Sequence, residues 1–368
     1  MLGRVKHIFG VLIVLLLVTS CDKIRFHVNY VSGPSLMLNV TCEINTTNPE
    51  YFVAVECDAN QGTSYIVRTQ SVGPRTETEI TEEAYTLRCI IDLYRVVDSH
   101  SEFVERRVHL VNMDDLSIPA SQFNVNAEEY KVLVWCDYVK NSAPEEALYY
   151  QTDDLNNIRY TDIEVIDNNM KDAFTAMANV NLRDYKSTLT GVYDIHEHLV
   201  LERPNGVMKC VTTDIKDYLS SNDVDEITCL MSYIQYVSAG YSVEEQKPNH
   251  FEIERSFTTT VPAKDFNTNN ELVVCYDYVF VNGRQTNVKI NMLFFNGRVT
   301  LEDDILIRDD GTVVSPEECI TSWSSISVPL KRNMETVVSG RLLTTSFDPG
   351  GIGINPGFED EIVIPWND

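Results

Sequence analysis

The sequence of 368 residues is poor in positive charge, in tryptophan and in long apolar runs, and each shortage removes a class of function. Its 29 Lys and Arg stand against 55 Asp and Glu, a formal net charge of −26 at pH 7. A surface of that sign repels phosphate backbones and anionic headgroups, which excludes nucleic acid as a partner. Past Val18, no apolar run approaches the roughly 20 residues that a membrane-spanning helix needs. No two cysteines have C-x-x-C spacing, so no zinc site is indicated. No serine sits in a Gly-x-Ser-x-Gly elbow, and no glycine-rich phosphate loop follows a strand. The chain offers no catalytic residue, metal site or cofactor site to assign, and reads as a non-enzymatic protein.

The apolar stretch that does exist runs from Ile8 to Val18, behind Arg4 and Lys6. A positive start, a short hydrophobic middle and small residues after it make a secretory signal. The segment Leu17-Val18-Thr19-Ser20-Cys21 resembles a bacterial lipobox. The resemblance implies removal of residues 1–20, acylation of Cys21 by palmitate-like chains, and a tether over 21–27. Each buried methylene contributes about 0.8 kcal/mol, so several acyl chains hold a soluble domain on a membrane. The expected location is the outer membrane or cell surface. Two alternatives stand beside this: a simple secretory signal with a spare cysteine, and a transmembrane helix, for which the stretch is short.

Eight further cysteines follow: Cys42, Cys57, Cys89, Cys136, Cys210, Cys229, Cys275 and Cys319. An even number in an exported chain invites disulfides, with Cys42 and Cys57 the best pair if a hairpin joins them. Most of the eight sit inside apolar runs, where a free thiol acts as a small hydrophobe.

The chain repeats itself. The run Thr86–Asp92 around Cys89 has a counterpart in Glu226–Ser232 around Cys229, a shift of 140 residues. Val134–Val139 resembles Val274–Val279 at the same shift, and Pro119–Asn126 resembles Pro262–Asn269 at a shift of 143. Three matches in the same order point to two copies of one domain. Within the copies the period is two. Leu87, Cys89, Ile91 and Leu93 alternate with Thr86, Arg88, Asp92 and Tyr94, with Ile90 out of step. That predicts strands with one face on a core and one in water. Turn signals such as Asn282-Gly283, Asn296-Gly297 and Asp310-Gly311 separate the runs. Short strands and frequent turns argue for β-sandwiches. One segment, Asn169–Ala178, has helix formers and helical spacing of Met170, Phe174 and Met177, and predicts a short helix at the junction. The expected domains are 28–187 and 188–368.

Two motifs invite a sharper reading. Asp194-Ile195-His196-Glu197-His198 on a strand puts Asp194, His196 and His198 on one face, where two histidines can grip a metal. A catalytic metal needs a third ligand, and none is near in sequence, so an exposed polar strand face is the favoured reading. Asp303-Asp304 and Asp309-Asp310-Gly311 do not match an EF-hand loop, and the latter is better read as a hairpin turn.

Longer segments carry a family resemblance. Val134–Val139, Leu148–Leu155 and Lys171–Phe174 in the first half look like fimbrillin-like lipoproteins of Gram-negative gut anaerobes. So do Glu202–Pro204, Thr212–Asp214, Asp277–Gly283 and Val328–Asn333, with Ser339–Thr344 and Gly350–Phe358 resembling that group's closing strands and glycine-rich turn. Many members are known only as a domain of unknown function. The resemblance implies an all-β chain of two tandem transthyretin-like Greek-key β-sandwich domains with a short helix near the inter-domain junction. It implies a pilus subunit, anchor or tip that pairs with other pilus subunits by strand exchange and meets host or bacterial surface ligands. Proteolysis at an arginine precedes such exchange, with Arg25, Arg68 and Arg75 as candidates and Glu359–Pro365 as a donated strand or a last strand of its own sandwich. The rival reading is a surface glycan-binding lipoprotein of a nutrient-uptake system, which calls for exposed aromatic platforms. Trp135, Trp323 and Trp366 are the available tryptophans, and Trp135 lies in a buried-looking run.

Overall fold

Period-two alternation builds strands through nearly all of the chain that the computed structural model describes: residues 35–46, 51–58, 62–69, 84–161, 166–186, 192–252, 255–283 and 285–347. Cys21, the signal and tether, Arg25, Arg75, Glu359–Pro365 and Trp366 lie outside the described residues.

The strands form two β-sandwiches. In the first, a three-stranded sheet has the order β11 (Val192–Leu201), β1 (Ser35–Ile44), β6 (Ser121–Val125). It faces a four-stranded antiparallel sheet of β10 (Ala173–Asn181), β7 (Glu129–Lys140), β4 (Tyr85–Val97) and β5 (His100–Leu110). Leu36, Leu38 and Val40 of β1 meet Leu87, Cys89 and Ile91 of β4 and Val132, Val134 and Cys136 of β7 between them.

In the second sandwich, β16 (Ser256–Pro262), β13 (Glu226–Tyr233), β18 (Thr286–Asn296) and β22 (Thr321–Leu330) make one sheet. The other is five-stranded, in the order β17 (Leu272–Phe280), β12 (Asn205–Thr212), β23 (Glu335–Gly340), β2 (Tyr51–Asp58), β3 (Gly62–Thr69). Cys229, Met231, Phe294 and Trp323 fill its core with Met208, Cys210 and Val274.

The duplication is visible in the topology. β1 pairs β11 in parallel and β6 antiparallel, and β12 pairs β23 in parallel and β17 antiparallel. The sheet β5-β4-β7-β10 has the same order and strand directions as β16-β13-β18-β22. Thus β4 corresponds to β13, as the Cys89–Cys229 match expects. The match of Val134–Val139 with Val274–Val279 does not follow this correspondence: β7 corresponds to β18, whereas β17 corresponds to β6. Strand β7 lies inside its sheet and β17 at the end of its own, yet both are largely buried on both faces, and burial selects similar apolar runs.

Two elements cross the boundary expected at residue 188. Strand β11 lies past it, yet completes the first sandwich. The β2–β3 hairpin lies far before it, yet extends the second sandwich through parallel pairing of β2 with β23. The register from Val53↔Thr336 to Cys57↔Gly340 places a carbonyl so close to Gly340 that a Cβ there would sit 2.6 Å from the Cys57 oxygen.

The polar face of β4 is not in water. Its residues from Thr86 to Tyr94 are all buried. Arg88 forks onto Asp137 at 3.2 and 2.9 Å, and Arg106 forks onto Asp92 at 2.7 Å for both bonds. Ile90, out of step in sequence, joins Trp135 in an aromatic core on the outer face of this sheet. There Trp135 meets Tyr150 edge-on at 5.3 Å, and Phe280 of β17 and Tyr241 from the second half of the chain join them, 5.3 Å apart. A small sheet of β8 (Tyr150–Gln151), β9 (Ile158–Tyr160), β14 (Val237–Ser242) and β15 (Lys247–Glu252) joins segments of both halves beside it. The remaining strands, β19 (Val299–Glu302), β20 (Ile305–Arg308) and β21 (Val313–Val314), cover Leu230 on the outer face of β13.

The helix expected over Asn169–Ala178 is a single 3-10 turn at Asn169–Lys171, after which β10 begins. Pairing of Phe174 opposite Cys136 and burial in the first core outweigh local helix propensity. The α-helix among the described residues is α1 (Ile215–Leu219).

Candidate functional site

Strand β11 is where sequence and fold point together. Asn45 N–H donates to the Leu201 carbonyl at 3.0 Å, so the odd-numbered backbone groups of β11 face β1. Alternation then turns the N–H and C=O groups of Asp194, His196, His198 and Val200 outward, onto the edge of the sheet. That edge is closed at its far end, where Glu202 and Thr175 exchange two bonds at 2.9 and 3.0 Å. Before Glu202, no strand pairs with the outer side of β11 among the described residues. The corresponding strand of the second sandwich is β23, and its outer side is paired with β2. The edge of β22 is likewise met by Phe347, which bonds Ser322 and Ser324 at 2.9 and 3.0 Å. Among the described residues, two equivalent edges therefore differ in one respect: one carries a parallel strand and the other carries none.

Asp194, His196 and His198 are exposed on the outer face, as the polar-strand reading expects. His198 approaches Thr41 Oγ1 through Nδ1 at 3.1 Å and Glu43 through Nε2 at 3.5 Å. No cluster of three metal-ligating groups occurs among the described residues. Asp303 and Asp304 have φ of 47° and 64° and form the tight turn between β19 and β20. In Asp309-Asp310-Gly311, Gly311 has φ of 81°, and Thr312 N–H donates to Asp310 at 2.9 Å, which is a hairpin turn.

All eight described cysteines are free thiols. Cys42 lies on β1 and Cys57 on β2, in different sandwiches, so no hairpin brings them together. Cys42 instead adjoins Cys89, whose cross-strand partner is Cys136, and Cys210 stands opposite Cys275. The bond to Cys89 and burial push the Cys42 thiol up, and burial pushes Cys57 up to about 12. Both therefore stay protonated and unreactive.

Buried charge is concentrated between the sandwiches. Lys171 reaches Asp277 at 2.5 Å, and Tyr233 Oη donates to the other Asp277 oxygen at 2.9 Å. Arg203 forks onto Asp172 at 2.8–2.9 Å, donates to Asn333 at 3.0 Å and covers the Phe174 ring at 4.8 Å. Desolvation raises Asp137 to about 6 despite Arg88, and raises Asp167 to about 8 although it accepts a bond from Tyr276 N–H. Each of these pairs has a structural partner, so the shifts mark buried joints. Trp135 and Trp323 are both fully buried and offer no stacking platform. Arg68 lies within β3. The sequence marked Asp194–His198 for its histidines; its meaning as an edge came from strand order, which has no local signal.

Solved structures similar to the chain include a candidate adhesin from Bacteroides ovatus, at 9% identity over 84% of this chain and 90% of that one, with a TM-score of 0.39. The fimbrial anchor protein Mfa2 from Porphyromonas gingivalis is similar at 8% identity over 78% and 81%, with a TM-score of 0.36. A candidate cell adhesion protein from Bacteroides eggerthii is similar at 11% identity over 86% and 91%, also with a TM-score of 0.36. No curated protein matches the sequence. The profile of DUF6562, described as a family of unknown function, matches residues 45–367, and the chain belongs to that family.

Proposed function

We propose that the protein is a surface structural and adhesive subunit, held to the outer membrane through a lipid on Cys21 and joined to other subunits by a strand added at β11. The observation that carries this reading is the inequality of two matching edges: β23 is sealed by β2, while among the described residues no strand pairs with the outward N–H and C=O groups of β11 from Asp194 to Val200. A free ladder of this length accepts an extended segment through main-chain bonds alone. The lipobox-like segment ending at Cys21 supports the anchor, and the fimbrillin-like motifs support assembly as its purpose.

His196→Pro tests the edge. Its N–H points away from β1, so proline removes an outward donor and leaves the β1 ladder in place. Cells making the native protein should show heat-sensitive ladders on a gel, and the variant should show monomer with an unchanged melting temperature. Monomer alone from native cells, under every heating condition, overturns assembly. For the anchor, native protein should take up labelled palmitate and Cys21→Ala should not; equal labelling of both overturns it.

A further inference from the structure

The second sandwich carries a cleft away from the β11 edge. It lies between the β14–β15 hairpin and the turn from β17 to β18, with a volume of about 260 Å³. Two aromatic rings flank its mouth and are out in water: Tyr236 is 65% exposed and Phe251 55%. Isolated exposed aromatics are common, but these two are placed together by strand register. Phe251 stands opposite Ser238, and Tyr236 is two residues before Ser238, so alternation puts both rings on one face of the hairpin, diagonal to each other.

The cleft also has polar groups set for a partner. Gln285 commits its Nε2 to Asn287 Oδ1 at 2.9 Å, while its Oε1 is buried and accepts nothing. A buried acceptor left without a hydrogen bond is unfavourable, so such an atom on a cleft wall marks a place for a donor. Asn282 presents its side chain at the rim, and Val288 contributes to an apolar floor. None of the lining residues is charged, in a chain whose net charge is −26.

We infer that this cleft binds a neutral saccharide. Apolar C–H faces of a sugar ring pack on aromatic faces, and its hydroxyls both donate to and accept from amides. The lining supplies that mixture: two rings, an unpaired amide oxygen, a second amide at the rim and no ionic group. A drug-sized apolar ligand is poorly served, because its usual sites begin near 300 Å³ and enclose most of the ligand. An acidic sugar finds no cation among the lining residues. The size admits one ring of an oligosaccharide, with the rest lying across Tyr236 and Phe251. The site is independent of strand addition at β11, and its test is read on monomeric protein.

The experiment is calorimetric titration of the purified protein with maltohexaose, xylohexaose, mannohexaose, lacto-N-tetraose and hexagalacturonate. At least one of the four neutral probes should bind and the acidic probe should not. Tyr236→Ala, Phe251→Ala and Gln285→Ala should each weaken that binding about tenfold, or about 1.4 kcal/mol. Both rings are on the surface, so their loss should leave the melting temperature unchanged. Silence from all four neutral probes overturns the proposal. Binding of the acidic probe alone overturns it too, as does neutral binding that the three variants leave intact.

Discussion

Lys171 and Asp277 show what single residues contribute. Both are buried and meet at 2.5 Å, with the Lys171 ammonium also over the Tyr160 ring at 5.0 Å. Replacing Lys171 by Ala leaves a buried carboxylate without its cation and should lower stability by about 3–5 kcal/mol in chemical denaturation. The raised carboxyls act in the opposite sense. Asp167 titrates at about 8 in the folded chain and Asp137 at about 6, both above the unfolded value near 3.9. The folded state keeps those protons while the unfolded state has lost them, so each group removes stability as pH rises through its window, up to about 1.4 kcal/mol per pH unit. Asp167→Asn should therefore flatten the stability curve between about pH 4 and 8 and add most at the upper end, as read by urea unfolding at several pH values. Thiol labelling gives another residue-scale check. Among the eight described cysteines, Cys319 is half-buried and should react first, with the other seven waiting for unfolding. The sequence exposed these acids, in the matching Asp-Tyr-Val runs at Asp137 and Asp277, but not their partners. Arg88 arrives from the neighbouring strand β4 and Lys171 from the 3-10 turn before β10, and neither approach has a local signal.

Among elements, the β2–β3 hairpin is the least legible in sequence and the most consequential in the fold. Nothing local says that it leaves the first sandwich for the second. The docking tolerates no side chain at Gly340, where a Cβ would meet backbone. Gly340→Val should force β2 from β23, with a loss of about 1–3 kcal/mol and faster proteolysis between residues 51 and 69. Strand β10 teaches the reverse lesson. Met170, Phe174 and Met177 have helical spacing, but Phe174 is drawn inward opposite Cys136 and the segment extends. Burial on one side of an existing sheet outweighs a few tenths of a kcal/mol per residue of propensity. Fold class and repeat were legible because alternation and turn chemistry are local. Which strand lies beside which was not, as the false match of β7 with β17 shows.

For the whole molecule, the joint is as well packed as the two cores. Trp135, Tyr150, Tyr241 and Phe280 form one aromatic cluster across it, and β9 pairs β14 beside them. The two sandwiches should unfold in a single calorimetric transition. Division at residue 187/188 should yield two fragments that fail to fold, since one lacks β11 and the other lacks β2–β3; soluble, cooperatively melting halves would contradict the exchanged strands.

The parallel pairing of Val53 with Thr336 also dictates an order of events. A ribosome or export channel delivers residue 53 long before residue 336 exists on the far side, so the hairpin must wait, unsealed, for nearly the entire polypeptide to arrive. Loop closure over such a span is slow. The chain is thereby kept from maturing early: it becomes a finished object only when β23 slides between β2 and β12, on whichever side of the membrane that strand emerges.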